Sequence, residues 1–236
     1  MKKLILGATG AIGSALAKKI ASDGEQVHLV GRDESSLSAL ASELNASFTT
    51  CDVLEDNFSE KILSDLADTP INGLAYCVGS IDLKPLKLSK KKDFLDCFNL
   101  NLISATEIIR ASLEKLKENK GAIVLFSTVA ARKGFINHSI IASAKAAVEG
   151  LTVSLAAEFS PNVRVNCIAP SLSKSKMGEF LLKNEKIAEG IAKMHPLKRL
   201  GEGSDSSAVA QFLLSENSSW ITGQIFGVDG GRSSLT

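Results

Sequence analysis

A chain of 236 residues with 27 Lys or Arg and 26 Asp or Glu is nearly neutral, which excludes the strong positive charge typical of proteins that bind nucleic acid or anionic membranes. Its length allows one domain with a full hydrophobic core, and no linker rich in Pro, Ser or Gly divides it. The apolar run near the start is too short for a secretion signal, and no other stretch is expected to cross a bilayer.

The four cysteines are scattered along the chain, at Cys51, Cys77, Cys97 and Cys167. They form no C-x-x-C pair, and no histidine lies at metal-ligand spacing from them. This pattern predicts reduced thiols in a cytoplasmic protein, with neither disulfides nor a bound metal.

The segment over residues 2–24 combines an apolar run, a glycine turn and a helix-period pattern. The glycines are Gly7, Gly10 and Gly13. Glycine permits positive φ and close approach of a ligand, and the first N–H groups of the following helix are free to bind a phosphate. A glycine triplet also serves ordinary turns, but its place between a strand and a helix predicts a nucleotide ligand.

The second predicted strand, residues 26–30, ends just before Arg32 and Asp33, about where a dinucleotide site reads the adenosine ribose. An acidic side chain there accepts a hydrogen bond from the 2′-hydroxyl of NAD(H), whereas an arginine pairs with the 2′-phosphate of NADP(H). Arg32 therefore predicts NADP(H). Asp33 keeps NAD(H) as an alternative, and the other interpretation of Arg32 is a solvated residue after the strand.

The rest of the chain alternates predicted helices with predicted strands. The helices cover residues 37–44, 58–66, 94–117, 139–159 and 208–214, and the strands cover residues 46–51, 72–78, 121–126, 163–168 and 224–228. The strands are continuous apolar runs, which is typical of a parallel sheet covered by helices on both faces. The predicted fold class is α/β, a doubly wound sheet in a single domain over residues 1–236.

One long helix is predicted over residues 94–117. Its buried face is expected to carry five apolar residues: Leu95, Phe98, Leu102, Ile109 and Leu113. Asn99 and Asn101 lie within it, and asparagine inside a helix usually has a local reason because its amide competes with backbone hydrogen bonds.

The segment over residues 171–200 is irregular and rich in lysine. Such a segment is consistent with a mobile lid over the substrate or with an ordinary solvated surface, and the sequence leaves both open.

Taken together, these motifs resemble the short-chain dehydrogenase/reductase family over essentially the whole chain. The glycine turn is similar to the family's, with Ala11 where the commonest form has a glycine, and residues 76–79 keep only Gly79 of the usual Asn-Asn-Ala-Gly. Residues 164–170 and 220–231 match the two C-terminal signatures. The resemblance implies a Rossmann-type, mostly parallel seven-stranded sheet, a nicotinamide cofactor, a small-molecule substrate and a homo-dimer or homo-tetramer.

The resemblance also implies which residues bind the cofactor. They are Gly7, Thr9, Gly10, Ile12, Gly13, Arg32, Asp52, Val53, Gly79, Lys145, Pro170 and Ser175. Asp52 and Val53 are similar to the family's adenine-contacting pair, although an aspartate at a strand end is as often a helix cap. Asn101 matches the asparagine that holds a proton-relay water.

The catalytic centre departs from the family pattern. Aligned through Lys145, the family's serine position holds Thr128 and its tyrosine position holds Ile141. The tyrosine of the family donates or takes the substrate proton, and isoleucine has no ionisable group. Loss of a general acid removes about two to four decades of rate, so the chain is expected to keep cofactor binding more surely than ordinary turnover.

Two side chains are candidates for the missing acid. His138 lies three residues before Ile141 and has a suitable side chain, although it also fits a loop residue that touches substrate or solvent. A desolvated Lys145 is the second candidate. His28 and His195 are expected to be structural.

Three functions fit these observations. The first is an NADP(H)-dependent oxidoreductase acting on a carbonyl, an alcohol or an activated alkene, and the alkene tolerates Ile141 best because it needs less acid at oxygen. The second is a non-catalytic sensor or scaffold that binds NADP(H). A third takes the lysines over residues 84–92 and 174–198 as docking an anionic substrate or an acidic carrier protein.

Overall fold

The computed structural model describes residues 1–176, 178–179 and 184–235. Within this part of the chain, seven strands form one sheet in the order β3-β2-β1-β4-β5-β6-β7. The strands are β1 (Lys2–Leu6), β2 (Gln26–Gly31), β3 (Ser47–Thr50), β4 (Ile71–Tyr76), β5 (Ala122–Phe126), β6 (Arg164–Pro170) and β7 (Ile225–Val228). Every neighbouring pair is parallel, so the predicted doubly wound sheet is confirmed.

Helices cover both faces of the sheet. They are α1 (Ala11–Ser22), α2 (Glu34–Leu44), α3 (Phe58–Leu66), α4 (Lys91–Phe98), a π-helical turn (Asn99–Ile103), α5 (Ser104–Glu118), α6 (Ser139–Phe159), α7 (Glu185–Lys193) and α8 (Gly203–Leu214). Parallel neighbours require a crossover between them, and helices supply it.

The central strands are mostly apolar because both of their sides are buried. Leu4 and Leu6 of β1 pack on the face covered by α3, α5 and α6, whereas Ile5 between them packs on the face covered by α1, α2 and α8. Successive side chains of a strand point to opposite faces. A strand that is covered on both sides therefore favours apolar residues at consecutive positions. The two cores hold the carboxyl ends of all the strands at one edge.

The helix predicted over residues 94–117 differs from the structure in its start, in its continuity and in the burial of Leu95. The helical segment begins earlier, at Lys91, and the π-helical turn interrupts it, with the hydroxyl of Ser104 donating to the carbonyl oxygen of Asn99 over 2.9 Å. A π turn inserts an extra residue and rotates the following helix relative to the preceding one. Leu95, predicted to be buried, is 51% exposed.

Part of the segment over residues 171–200 is also more regular than predicted. It contains α7, whose first turn is capped by the side chain of Asn184, which accepts hydrogen bonds from the N–H groups of Lys186 and Ile187. No residue of α7 is buried. Positions 177 and 180–183 of the predicted lid lie outside the described residues, and the lid remains a prediction.

Among the described residues, one helix, α6, passes a length-and-composition test for a membrane span, which the buried central helix of a folded domain also passes. Half of its apolar window is buried, and it packs on β6 and against α4. The same composition serves a central helix of a doubly wound fold, because α6 lies between the sheet and its neighbouring helices.

Candidate active site

A cavity of about 710 Å³ opens at the carboxyl edge of the sheet. It is lined by the loops that follow β1, β4, β5 and β6, and by the start of α6. The chain leaves β1 toward β2 but leaves β4 toward β5, so the direction of winding reverses between β1 and β4. Ligands of open α/β sheets bind in the crevice at such a switch point.

Two glycines of the turn after β1, Gly7 and Gly13, have no room for a side chain. Gly7 has φ of +75°, and a Cβ atom there would lie 2.9 Å from the carbonyl group of Cys77. A Cβ on Gly13 would overlap the carbonyl oxygen of Gly7. These two glycines therefore bring the turn against β4 and α1 and do not line the cavity themselves, whereas Thr9 and Gly10 do.

The N-terminus of α1 faces this cavity through Gly10 and Ile12. Gly10 is the N-cap residue and supplies no side-chain cap, and the first turn contains no acidic residue. The unsatisfied N–H groups and the helix dipole therefore favour an anion here. The turn fits the pyrophosphate of a dinucleotide.

Arg32 and Asp33 follow β2 and have different environments. Asp33 caps α2, because its carboxylate accepts a hydrogen bond of 2.7 Å from the N–H of Ser36. Hydrogen bonds from Ser36 hold the pKa of the Asp33 carboxyl below its usual value. The side chain of Arg32 is 74% exposed and lies outside the cavity. Beyond β2 the chain therefore exposes a guanidinium next to a carboxylate that is engaged in capping α2.

Asp52 and Val53 follow β3 at the same edge of the sheet. A carboxylate oxygen of Asp52 lies 3.5 Å from the guanidinium of Arg32, and the other accepts a hydrogen bond of 3.0 Å from the N–H of Leu54. Val53 is buried. Neither residue lines the cavity, so the structure places the predicted adenine pair beside Arg32 rather than beside the other cofactor residues.

Lys145 enters the cavity from α6 and is buried. Its ammonium group donates a hydrogen bond of 2.8 Å to the carbonyl oxygen of Phe126, the last residue of β5. Burial lowers the pKa of Lys145 from 10.5 to about 8. The buried thiol of Cys167 nearby has its pKa raised to about 12 by desolvation, so it stays neutral beside the lysine at physiological pH.

Asn101 lies behind Gly79, in the π-helical turn. Its amide nitrogen donates to the carbonyl oxygen of Cys97 over 2.8 Å, while its buried oxygen has no hydrogen-bond partner among the described residues. A Cβ on Gly79 would lie 3.0 Å from that oxygen and 3.3 Å from Nζ of Lys145. The amide oxygen of Asn101 and the ammonium group of Lys145 thus both lie against Gly79. Asn101 itself does not line the cavity.

Thr128 and Ile141 both line the cavity. The hydroxyl oxygen of Thr128 accepts a hydrogen bond of 3.3 Å from the N–H of Ala130. Ile141 is 5% exposed and belongs to a small apolar cluster between α4 and α6. Tyr76 does not replace the family tyrosine, since it is buried and its hydroxyl donates to the carbonyl oxygen of Leu100 over 2.7 Å.

His138 lies in the cavity wall immediately before α6 and is partly buried. Its Nδ1 lies 2.7 Å from the carbonyl oxygen of Ile136. A carbonyl oxygen only accepts, so this nitrogen carries the proton and Nε2 is the other available nitrogen. Phe135 packs beside the imidazole, with 5.3 Å between the ring centroids.

The other two histidines have hydrogen bonds on both ring nitrogens. His28 on β2 bonds the hydroxyls of Ser47 and Thr49, and burial lowers its pKa to about 4. His195 bonds the hydroxyl of Ser171 over 2.8 Å and a carbonyl oxygen of α7. Both side chains are buried and join separate elements, which is a structural role.

Pro170 and Ser175 line the cavity on the side of β6. The hydroxyl oxygen of Ser175 accepts a hydrogen bond of 3.1 Å from the N–H of Gly178. Both predicted cofactor residues are therefore in the same cavity as Gly10 and Gly79.

Sequence reasoning missed a partly buried network beside Thr128. The hydroxyl of Ser127 donates to the carboxylate of Glu149 over 2.9 Å, and Nε of Arg132 donates to the other oxygen of that carboxylate over 2.6 Å. The network ties the loop after β5 to α6. Its only signal in the sequence is the hydroxyl pair formed by Ser127 and Thr128.

Sequence reasoning also missed Arg232, which lines the cavity from the C-terminal part of the chain. Its guanidinium carbon lies 4.8 Å from the centroid of the Phe135 ring. An arginine directly after two glycines was the available signal, but nothing in its spacing connects it with Phe135.

Comparisons with known proteins agree with this geometry. The model of a family described as enoyl-(acyl carrier protein) reductase matches residues 7–233. A chloroplastic tropinone reductase homolog of Arabidopsis thaliana is 33% identical over 243 residues, covering 99% of this chain and 76% of the relative. The human mitochondrial dehydrogenase/reductase SDR family member 2 is 26% identical, covering 98% of this chain and 86% of the relative.

Solved structures show the same fold. The structure of ElxO with NADP bound is 25% identical and superposes with a TM-score of 0.91, covering 99% of this chain and 98% of that one. A protein described as a short chain dehydrogenase/reductase family protein is 27% identical with a TM-score of 0.90, covering 99% and 97%. Together with the glycine turn and the buried lysine, these matches show that the chain belongs to the short-chain dehydrogenase/reductase family, whose members are oxidoreductases with nicotinamide cofactors.

Proposed function

We propose that the protein is an NADP(H)-dependent oxidoreductase that transfers hydride to or from a small carbonyl compound, an alcohol or an activated alkene. The observation that carries this proposal is one cavity lined by the uncapped N-terminus of α1, by Gly79, by Thr128 and by Lys145. A phosphate site and a proton-bearing side chain in one cavity are what hydride transfer from a dinucleotide requires.

The preference for NADP(H) is supported by the division of roles after β2. Asp33 uses its carboxylate to cap α2, which leaves it poorly placed to hold a ribose hydroxyl. Arg32 is exposed beside it and is suited to a phosphate. The relative ElxO has a structure with NADP bound. NAD(H) is the alternative if Asp33 leaves its cap.

In the proposed reaction the cofactor supplies the hydride, and the chain orients the substrate and handles the proton. The hydroxyl of Thr128 holds the substrate oxygen by a hydrogen bond. Lys145 holds the nicotinamide ribose and is the proton donor that we favour, because burial brings its pKa to about 8, close to working pH. We assign His138 to contact with the substrate, and Asn101 to supporting Lys145 from behind Gly79.

Ile141 favours a substrate with a conjugated alkene. A carbonyl reduced to an alcohol needs a proton at oxygen as the hydride arrives, and the tyrosine position offers none. In a conjugated enone the hydride would add to the β-carbon, and the negative charge of the resulting enolate is spread over oxygen and the α-carbon, so the oxygen needs only a hydrogen bond, such as that of Thr128. The reduction is completed by a proton delivered to the α-carbon, for which Lys145 is the donor that we propose. The family description of enoyl reductases supports this choice.

A non-catalytic NADP(H)-binding sensor or scaffold is the second candidate. The observation in its favour is Ile141, which is apolar and buried where the family has its acid. The retained approach of Asn101 to Lys145 at Gly79 favours the enzyme, since a simple binder has little need for it.

We further propose that the protein works in the cytoplasm as a homo-dimer or homo-tetramer. Four cysteines without a disulfide suit a reducing compartment. Leu95, Ile103 and Val153 are about half exposed on α4, the π-helical turn and α6, which are neighbours, and such apolar groups favour contact with another copy. Sedimentation equilibrium tests the assembly, and a monomer at micromolar concentration would contradict it.

The function is tested by titrating NADPH and NADH into the protein by fluorescence, then following NADPH oxidation with ketones, quinones and enones. We expect tighter binding of NADPH and faster turnover of enones than of matched ketones. Thr128→Val keeps the size of the side chain and removes the hydroxyl, so turnover should fall about a hundredfold with NADPH affinity unchanged. Binding without turnover of any compound would select the sensor, and no binding of either cofactor would overturn both candidates.

A further inference from the structure

A buried carboxylate holds both ends of the loop that carries Thr128. The hydroxyl of Ser127, immediately before Thr128, donates to one oxygen of Glu149 over 2.9 Å, and Nε of Arg132 donates to the other oxygen over 2.6 Å. Between these two points the chain makes the short helical turn Val129–Ala131. Glu149 therefore joins residues on either side of the hydroxyl that we place at the substrate oxygen.

The same carboxylate lies on the helix that carries Lys145. Glu149 follows Lys145 by four residues in α6, so the two side chains leave the helix on one face. The hydroxyl of Ser127 also lies 3.2 Å from the carbonyl oxygen of Lys145, while Nζ of Lys145 donates to the carbonyl oxygen of Phe126. Side chains of β5's last turn and of α6 thus bind each other in both directions.

The Thr128 hydroxyl is fixed to the turn that follows it. Its oxygen accepts a hydrogen bond from the N–H of Ala130 over 3.3 Å, and the carbonyl oxygen of Thr128 accepts one from the N–H of Ala131 over 3.0 Å. A shift of this turn relative to α6 would therefore carry the hydroxyl away from Lys145.

The exposure of the two charged partners indicates what the network controls. Glu149 is 8% exposed, whereas the side chain of Arg132 is 59% exposed. An ion pair with one partner largely in solvent contributes little to the free energy of unfolding. Its effect on position is larger, because a displacement of about 1 Å at a reacting group costs about a hundredfold in rate.

We propose that Glu149 is a positioning residue, which sets the place of the Thr128 hydroxyl relative to Lys145 by holding both ends of the loop. Glu149 itself does not line the cavity, so it acts through the loop that does. The inference rests on the proposed function, since it takes Thr128 as the group that holds the substrate oxygen.

The test is a double-mutant cycle between Glu149→Met and Thr128→Val. Methionine is unbranched and fills a similar space, but it takes the place of neither carboxylate oxygen. Arg132 is not left as a buried charge, because its side chain is mostly in solvent, so the variant should fold. Glu158→Met is the matched control, since Glu158 is exposed on the same helix. Fluorescence titration with NADPH verifies the folding of each variant.

Two properties are measured with benzalacetone as the enone. They are kcat for NADPH oxidation and calorimetric binding of the enone to the protein loaded with NADP⁺. We expect Glu149→Met to lower kcat about tenfold to a hundredfold and to weaken enone binding about fivefold, with NADPH affinity unchanged. In the Thr128→Val background it should change neither property. A role in stability alone would alter neither property of the folded protein.

Amide hydrogen exchange of residues 128–132 in the ligand-free protein adds a measurement that needs no substrate. Exchange should become faster in Glu149→Met and in Ser127→Ala, which releases one end of the loop, and should stay unchanged in Glu158→Met.

Four results would overturn the inference. They are equal factors of loss in the two backgrounds of the cycle, unchanged kcat and enone binding in Glu149→Met, unchanged exchange in that variant, and the same losses in Glu158→Met. If the wild type bound NADPH and the enone without turnover, the catalytic proposal would fail, and the cycle measured by enone binding would still decide this inference. If the wild type bound neither, both would fail together.

Discussion

The ammonium group of Lys145 donates a 2.8 Å hydrogen bond to the carbonyl oxygen of Phe126, one helical turn of α6 from Ile141. Residues four apart on a helix share a face, so Lys145 and Ile141 present a cation and an aliphatic side chain to the same cavity. Isoleucine has no titratable group, so Lys145 is the ionisable side chain of this pair. In the proposed reaction, the proton chemistry of the site therefore depends on the lysine and its environment.

The first prediction concerns stability and pH. Burial lowers the pKa of Lys145 to about 8, from 10.5. Below pH 8 the lysine is charged in both the folded and the unfolded protein. The folded protein is then destabilised by the desolvation of that charge. Between about pH 8 and pH 10.5 the lysine of the unfolded chain keeps its proton while that of the folded protein loses it. This contribution to the free energy of unfolding therefore rises with pH.

Lys145→Met removes that cost and should stabilise the protein at pH 7 by about 3 kcal/mol. The difference from the wild type should shrink toward zero near pH 10.5. Urea unfolding of both proteins at several pH values measures it, and the comparison cancels the titration of the cysteines. Lys18→Met, at an exposed lysine, should show no such trend. A difference independent of pH would mean that Lys145 titrates normally.

The second prediction concerns the proton donor. If Lys145 donates the proton during reduction, the rate should fall as pH rises through about 8, because the ammonium form is lost. His138→Ala should raise KM and keep this pH profile, since we assign His138 to substrate contact. Steady-state NADPH oxidation from pH 6 to about 9 measures both. If His138→Ala abolished turnover at unchanged NADPH affinity, the donor would be His138.

The third prediction concerns the choice of cofactor. Arg32→Ala should weaken NADPH binding about tenfold to a hundredfold, because a charge-assisted contact with the 2′-phosphate is lost. NADH binding should hardly change. Lys18→Ala serves as the control, since it removes an exposed cation of α1 without approaching β2. Equal losses for the two cofactors in fluorescence titrations would rule out the phosphate assignment.

The fourth prediction restores the phenol. Ile141→Tyr should raise ketone reduction about a hundredfold or more and should act less on enones. The larger ring in a buried position costs about 1–3 kcal/mol of stability. Ile141→Phe is the matched control, because it adds the ring without the hydroxyl. An equal gain in both variants would attribute the effect to shape, and no gain in Ile141→Tyr would show that the acid is not what limits ketone turnover.

Much of the fold was predictable because its signals are local. The helix predicted over residues 139–159 agrees with α6, Ser139–Phe159, and the predicted glycine turn joins β1 to α1. Apolar runs, a small-residue helix and a glycine turn depend on neighbours in the chain, so the sequence shows them directly. The π-helical turn was not visible in the sequence. One inserted residue shifts the phase of the helical pattern, but it changes neither its period nor the composition.

For this chain the sequence by itself determined the alternation of strands and helices and the family, since both are matters of residue type and order. Only the tertiary structure decided that Asn101 approaches Lys145 at Gly79, and that Arg232 reaches Phe135 in the same cavity. The physical reason is that these contacts join segments distant in the chain, and the packing of helices on the sheet, rather than residue spacing, sets the distances between them.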